Sequence, residues 1–196
     1  MIIVYIEDEL SEAIVKKLLE YIGKGNLPIF PLIKDGYGNI RRDLRKINNC
    51  AQHNNVIVLT DLDRTECAPL KVQEWFDFPK NRNLIFRIAV REVESWLLAD
   101  RRNFANFMGV PISRIPELPE DIPDPKALLF DLARHSNKKI IKEDIPPESG
   151  SGASDGKNYN GRLIEFVTDN WDIDNAKVSS VCKSLTSAIT AFRNIN

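Results

Sequence analysis

The sequence predicts an α/β domain with a mainly parallel sheet flanked by helices and a helical C-terminal extension. Three observations carry this reading. Short apolar runs of strand length recur: Ile2-Ile3-Val4-Tyr5-Ile6, Val56-Ile57-Val58-Leu59-Thr60 and Leu84 to Val90. They are apolar throughout rather than alternating, as in strands covered on both faces. Segments with apolar residues at helical spacing lie between them, and repeated strand-then-helix order is the signature of a parallel sheet.

Taken in order, the strand Ile2–Ile6 ends at Glu7-Asp8-Glu9, and Ser11 is the expected N-cap of a helix carrying Ile14, Val15, Leu18, Leu19 and Ile22, which Gly23 and Gly25 end. Ile29 to Ile33 is a weaker strand whose Pro31 suits a sheet edge. Asp35-Gly36-Tyr37-Gly38-Asn39 reads as a glycine-rich turn. Ile40, Leu44, Ile47 and Ala51 then mark a helix with a basic outer face of Arg41, Arg42, Arg45 and Lys46.

The Val56–Thr60 strand follows. Pro69 suits a first helical turn, with Val72, Trp75 and Phe76 as its apolar face. After Leu84–Val90 come Arg91-Glu92-Val93-Glu94, a helix through Trp96, Leu97 and Leu98, and a second short one with Phe104, Phe107 and Met108. Prolines 111, 116, 119, 123 and 125 make a turn-rich connector, followed by a helix from about Pro125 to Arg134. Pro146-Pro147 and Ser149-Gly150-Ser151-Gly152 read as a flexible loop. Two helices close the chain, one with Leu163, Ile164, Phe166 and Val167, the other with Val178, Val181, Leu185, Ala188, Ile189 and Phe192. The expected division is 1–110 as the α/β core and 111–196 as a helical extension packed on it in a single structural unit.

The 196 residues are 43% hydrophobic and 28% charged, ordinary globular usage that permits a sizeable core. The net charge of −1 supplies no global basic field, which counts against a bare DNA-binding module but not against a nuclease with a local basic patch. Cys50, Cys67 and Cys182 are odd in number and far apart, so neither a disulfide framework nor a zinc site is indicated. The N-terminus lacks the pattern of a signal peptide, and no run reaches the length of a membrane span. A reducing, cytoplasmic setting without membrane contact is expected.

The chemistry concentrates in acids at strand ends. Asp61 and Asp63 close the third run, two apart, and side chains two apart in an extended chain point the same way. Glu7 closes the first run, and Glu92 or Glu94 follows the last. In parallel sheets the carboxyl ends of strands share one rim, where ligands bind. Carboxylates gathered there repel one another, and a divalent cation removes the conflict. The plain alternative for Asp61 and Asp63 is a polar strand end entering a turn, and for Glu94 a first-turn residue favoured by the helix dipole.

Glu7 after Val4-Tyr5-Ile6, and Asp61-Leu62-Asp63 at the end of a later strand, make the chain resemble the TOPRIM fold of topoisomerases, primases and OLD-family nucleases, with a Rossmann-like sheet. The likeness implies Glu7 as general acid/base or metal ligand, Asp61 and Asp63 as ligands of Mg²⁺ or Mn²⁺, and Glu94 completing a second metal position. The segments 91–100, Gly36-Tyr37-Gly38-Asn39 and Lys157-Asn158-Tyr159-Asn160-Gly161-Arg162-Leu163 resemble small TOPRIM-related bacterial proteins, some relatives of which pair with ATPases in antiphage systems. The resemblance implies a metal-dependent nuclease, on DNA in preference to RNA, with an ATPase partner, and a homo-oligomer is compatible with it. One departure stands out: TOPRIM proteins usually place Gly after the strand-ending Glu, where this chain has Asp8.

Arg41, Arg42, Arg91, Lys157 and Arg162 are candidate phosphate contacts. A solvated helix face, a structural salt bridge and a helix-capping turn are their respective plain readings. Three rivals remain. Asp61-x-Asp63-x-Thr65 fits the nucleophile loop of haloacid-dehalogenase-like phosphatases, but a strand and helix precede it and too few strands follow. Glu7-Asp8 with Asp61 resembles a response-regulator receiver, but Ala89-Val90-Arg91 lacks the hydroxyl residue a receiver needs. A catalytically inactive TOPRIM-like interaction subunit fits the same residues.

Overall fold

The computed structural model describes residues 1–34, 36–178 and 180–195. Its chain forms two compact units, one of residues 1–93 together with the segment from Ser184 onward, the other of Glu94–Lys183. The grouping breaks at Val93, ahead of the proline-rich connector at which the sequence suggested a boundary, and its last helix belongs with the first unit.

The first unit is an α/β sheet protein. Strands β1 (Ile2–Ile6), β2 (Ile29–Ile33), β3 (Asn55–Asp61) and β4 (Leu84–Ala89) form a four-stranded sheet in the order β2-β1-β3-β4. Every pairing is parallel, as the uninterrupted apolar runs predict. β2 takes an edge, where Pro31 costs no ladder bond on its outer side. Helices α1 (Glu9–Tyr21), α2 (Tyr37–Cys50) and α3 (Ala68–Trp75) make the crossovers.

Strand alternation sorts the core into two layers. Val56, Val58, Leu84, Phe86 and Ile88 pack with Ile40, Leu44 and Ile47 of α2 and Trp75 of α3, so these helices share a face. Ile2, Val4, Ile6, Ile57 and Leu59, also buried, occupy the alternate positions. The edge beyond β4 meets the last helix, α10 (Lys183–Phe192): the Val90 N–H donates to Ser184 Oγ at 3.3 Å. Lys24 Nζ donates to the Arg193 carbonyl at 3.0 Å and also to that of Ile195.

The second unit contains α4 (Glu94–Leu98), α5 (Arg101–Met108), α6 (Pro125–Arg134), α7 (Lys139–Asp144), α8 (Tyr159–Asp169) and α9 (Ile173–Ala176). Its aromatic centre is Phe166, whose ring lies 5.0 Å from Phe104 and 5.3 Å from Phe107. Buried Asp100 accepts from the Asp172 N–H at 2.8 Å and from Asn103 Nδ2 at 2.8 Å, tying α9 to α5.

Several local expectations are corrected. The α1 cap is Asp8, not Ser11: Asp8 Oδ1 accepts the Ser11 N–H at 2.8 Å, and Ser11 is buried. Tyr37-Gly38-Asn39 opens α2 instead of forming a turn, with Gly36 at φ 100° as the cap; Asp35 lies outside the described residues. In α3, Val72 faces outward and Lys71 is buried. Val178 and Val181 precede α10 instead of belonging to it, and α7 and α9 carry no periodic signal strong enough to have announced them.

Candidate functional site

The register brings Glu7 and Asp61 together. Tyr5 pairs with Val58, so Glu7, two residues on, arrives beside Thr60 at the carboxyl end of β3. Glu7 Oε1 accepts from Thr60 Oγ1 at 2.5 Å and from the Asp61 N–H at 3.1 Å. Burial is the largest influence on this carboxyl and pushes its pKa above the ordinary glutamate range. The two hydrogen bonds act downward, the Asp63 charge acts upward, and the Lys71 charge acts downward. The net direction is up.

Past Asp61 the strand stops and the chain turns. Asp61 Oδ1 accepts the Val93 N–H at 3.0 Å. The Leu62 and Asp63 N–H groups both donate to the Arg91 carbonyl, at 2.9 and 3.0 Å. Asp63 adopts φ 53°, a left-handed conformation that Asp tolerates better than most residues. The two-residue parity of an extended chain therefore does not govern Asp63, which is carried on a turn.

Two cations hold that turn. Arg91 NH1 donates to the carbonyls of Thr65 at 2.7 Å and Asp63 at 3.4 Å, so its partners are main-chain oxygens of the turn. Lys71 Nζ donates to the Asp61 carbonyl and lies 3.5 Å from Asp63 Oδ2. The Lys71 side chain is only 3% exposed and its ammonium sits 5.1 Å from the Trp75 ring centroid. Neither Lys71 nor Thr60 stood out in the sequence. A lysine beside apolar residues in a short helix reads as solvated, and only the tertiary fold turns it inward.

The remaining candidates are distributed elsewhere. Glu94 opens α4 in the second unit, buried, and its Oε1 accepts from Tyr159 Oη at 2.6 Å. Arg162 Nε donates to Asp144 Oδ2 at 2.8 Å and NH1 to Glu165 Oε2 at 2.5 Å, while Lys157 Nζ lies 3.5 Å from Asp144 Oδ1. The hydrogen bond from Arg162 is the main cause holding the Asp144 carboxyl below its ordinary range. Lys157 and Arg162 thus surround a buried carboxylate. Arg41 and Arg42 stand exposed on α2. Asp8, which follows Glu7, has its carboxylate engaged in capping α1.

Among the described residues, no three His, Cys, Asp or Glu side chains are grouped as a preformed metal site. The donors at the rim are nonetheless of the class Mg²⁺ takes: hard carboxylate oxygens, of which it needs one or two alongside phosphate oxygens and water. Glu7, Asp61 and Asp63 supply oxygens of that class, with Asp61 Oδ1 accepting the Val93 N–H and Asp63 Oδ2 3.5 Å from Lys71 Nζ. No helix of the described residues is long and apolar enough to cross a membrane. No protein-family model, curated protein or solved structure matches the chain.

Proposed function

We propose that the chain is a divalent-cation-dependent nuclease of TOPRIM type, hydrolysing phosphodiester bonds at the strand-end rim of its first unit. The observation that carries this reading is the Glu7 carboxylate, fixed between Thr60 and the Asp61 N–H and raised in pKa. A carboxyl moved upward from its usual range is better matched to proton transfer near neutral pH. Mg²⁺ or Mn²⁺ would neutralise charge on the phosphate and activate water, held by Asp61 and Asp63 with Glu7 alongside. Thr60 and the Asp61 N–H orient Glu7 toward a single acceptor geometry, and Arg91 preserves the turn that carries Asp63. The roles of Glu94 as a second metal ligand, of DNA as the substrate ahead of RNA, and of an ATPase partner in the cytoplasm of a bacterium defending itself against phage rest on the resemblance alone.

A second reading has its own observation. The buried Lys71 ammonium already compensates Asp63, the arrangement expected of an interaction subunit whose acids have exchanged a metal for an internal cation. Incubation of plasmid and single-stranded substrates with Mg²⁺ or Mn²⁺, with and without an ATPase encoded beside the gene, separates the two. The nuclease reading expects cleavage that is lost in Glu7→Gln and Asp61→Asn. Cleavage at the parental rate in both variants would remove the assigned site. Absence of cleavage under every condition, with complex formation intact, would favour the interaction subunit.

A further inference from the structure

We infer that a cleft between α2 and the end of α3 docks single-stranded nucleic acid, with Arg41 and Arg42 taking phosphates and Arg45 stacking on a base. The inference rests on the nuclease reading for its biological sense, but its geometry is separate from the acidic rim. The cleft is about 270 Å³ and is lined by Arg41, Arg42, Arg45, Glu74, Asp77 and Phe78, among others.

Arg45 is the distinctive member. Its NH2 lies 2.6 Å from Asp77 Oδ2, and its guanidinium carbon sits 4.7 Å from the centroid of Phe78. Phe78 in turn leans on Phe76 at 5.5 Å, and Phe76 on Phe86 of β4 at 5.1 Å. The guanidinium is therefore backed by a relay of rings reaching the sheet, yet its side chain is 66% exposed. A planar cation held against a ring and an aspartate yet largely exposed offers a platform for an unpaired base, because every base has a π-face. A helix with a merely solvated basic face needs no such backing.

The neighbouring charges supply the phosphate term. Asp77 is matched by Arg45. Arg42 lies 3.9 Å from Asp43, which is held more closely by Lys34 at 3.0 Å. Arg41 makes no ion pair among the described residues. α2 starts past the carboxyl end of β2 and runs back along the sheet, so Arg41 and Arg42 come first after the rim and Arg45 a turn later. A strand leaving the acidic rim would meet phosphate contacts and then the stacking platform. An unpaired base is required at Arg45, which selects a single strand over a duplex.

The test is fluorescence anisotropy of labelled oligo-dT and oligo-rU with the full chain in EDTA, which reads binding in the absence of cleavage. A failure of the nuclease reading leaves this signal intact, and loss of this signal leaves cleavage assays interpretable. Arg41→Gln/Arg42→Gln is expected to weaken binding roughly tenfold or more at low salt and to reduce the log–log salt slope by about 1.4, one phosphate contact on a single strand accounting for about 0.7. Arg45→Lys keeps the charge and is expected to weaken binding severalfold with an unchanged slope. Lys139→Gln, an exposed cation on α7 (88%), is the control and is expected to bind as the parent does. Circular dichroism verifies that each variant is folded. Parental affinity and slope in the double variant, tighter binding of duplex than of single strands, displacement of the strand by micromolar inorganic phosphate, or failure of the folded parent to bind any strand, whether or not it binds a labelled glutamate-rich peptide, would each overturn the inference.

Discussion

Replacing Glu7 by Gln is expected to stabilise the fold at neutral pH while removing the chemistry. The amide oxygen of Gln can still accept from Thr60 Oγ1 and the Asp61 N–H, so both contacts of Glu7 Oε1 have a successor. What disappears is the cost of keeping a carboxylate out of water and next to the Asp63 charge, the two influences that raise this pKa. A folded pKa above the unfolded one weighs against the folded state whenever the group is ionised. The sign follows from linkage. Because the folded carboxyl holds its proton more tightly, its contribution to stability is fully present below the unfolded value of 4.5 and is lost as pH rises through the folded value. The gain in Glu7→Gln should therefore be largest near pH 7 and vanish toward pH 4. Urea unfolding of both proteins, read by tryptophan fluorescence at closely spaced pH values, measures it. A variant less stable than the parent at pH 7, or a difference that does not change with pH, would refute the assignment of Glu7 as a buried, proton-retaining carboxyl.

Thr60→Val removes the hydroxyl donor from a buried position; it should raise the Glu7 pKa further, seen by carbon NMR of the side-chain carboxyl, and cost about 1–3 kcal/mol in urea unfolding. Lys71→Met leaves the Asp61 carbonyl without its ammonium donor and should cost about 1–3 kcal/mol. It also removes the cation competing for Asp63, so calorimetric titration with Mn²⁺ should show tighter binding than in the parent if the rim is a metal site. Gly109→Ala should cost more than about 1 kcal/mol in thermal unfolding, because Gly109 sits at φ 66° and an added Cβ would lie 2.3 Å from Asn137 Oδ1.

The parts of this structure that were legible in the sequence are those set by local pattern. Ile2–Ile6 and Val56–Thr60 announce buried strands by apolar continuity, and once they are parallel neighbours the meeting of Glu7 with the end of β3 follows from register. The parts that were not legible depend on which neighbour a side chain finds. Ser11 and Asp8 are both good caps by residue type, and only the burial of Ser11 decides between them. Asp63 looks extended by its spacing from Asp61, but the Arg91 carbonyl gathers the Leu62 and Asp63 N–H groups and folds the chain into a turn. Lys71 is indistinguishable by sequence from the solvated lysines: Trp75 is only a turn away on the same helix, but the Asp61 carbonyl that draws the ammonium inward is supplied by the end of β3. Glu94 lies close in sequence to the strand-end acids, yet the chain commits it to Tyr159 in a different compact unit.

The return of α10 to the first unit has a consequence for biosynthesis. Protein chains emerge from the ribosome amino end first, and domains tend to fold as they appear. Here the sheet is fully translated by Ala89, but the helix beside β4 and the carbonyls that receive Lys24 arrive only with residues 184–195. The nascent sheet must therefore wait, one flank uncovered, through the synthesis of the whole intervening unit, and chaperone dependence during translation should be relieved by a circular permutation that moves α10 ahead of β1.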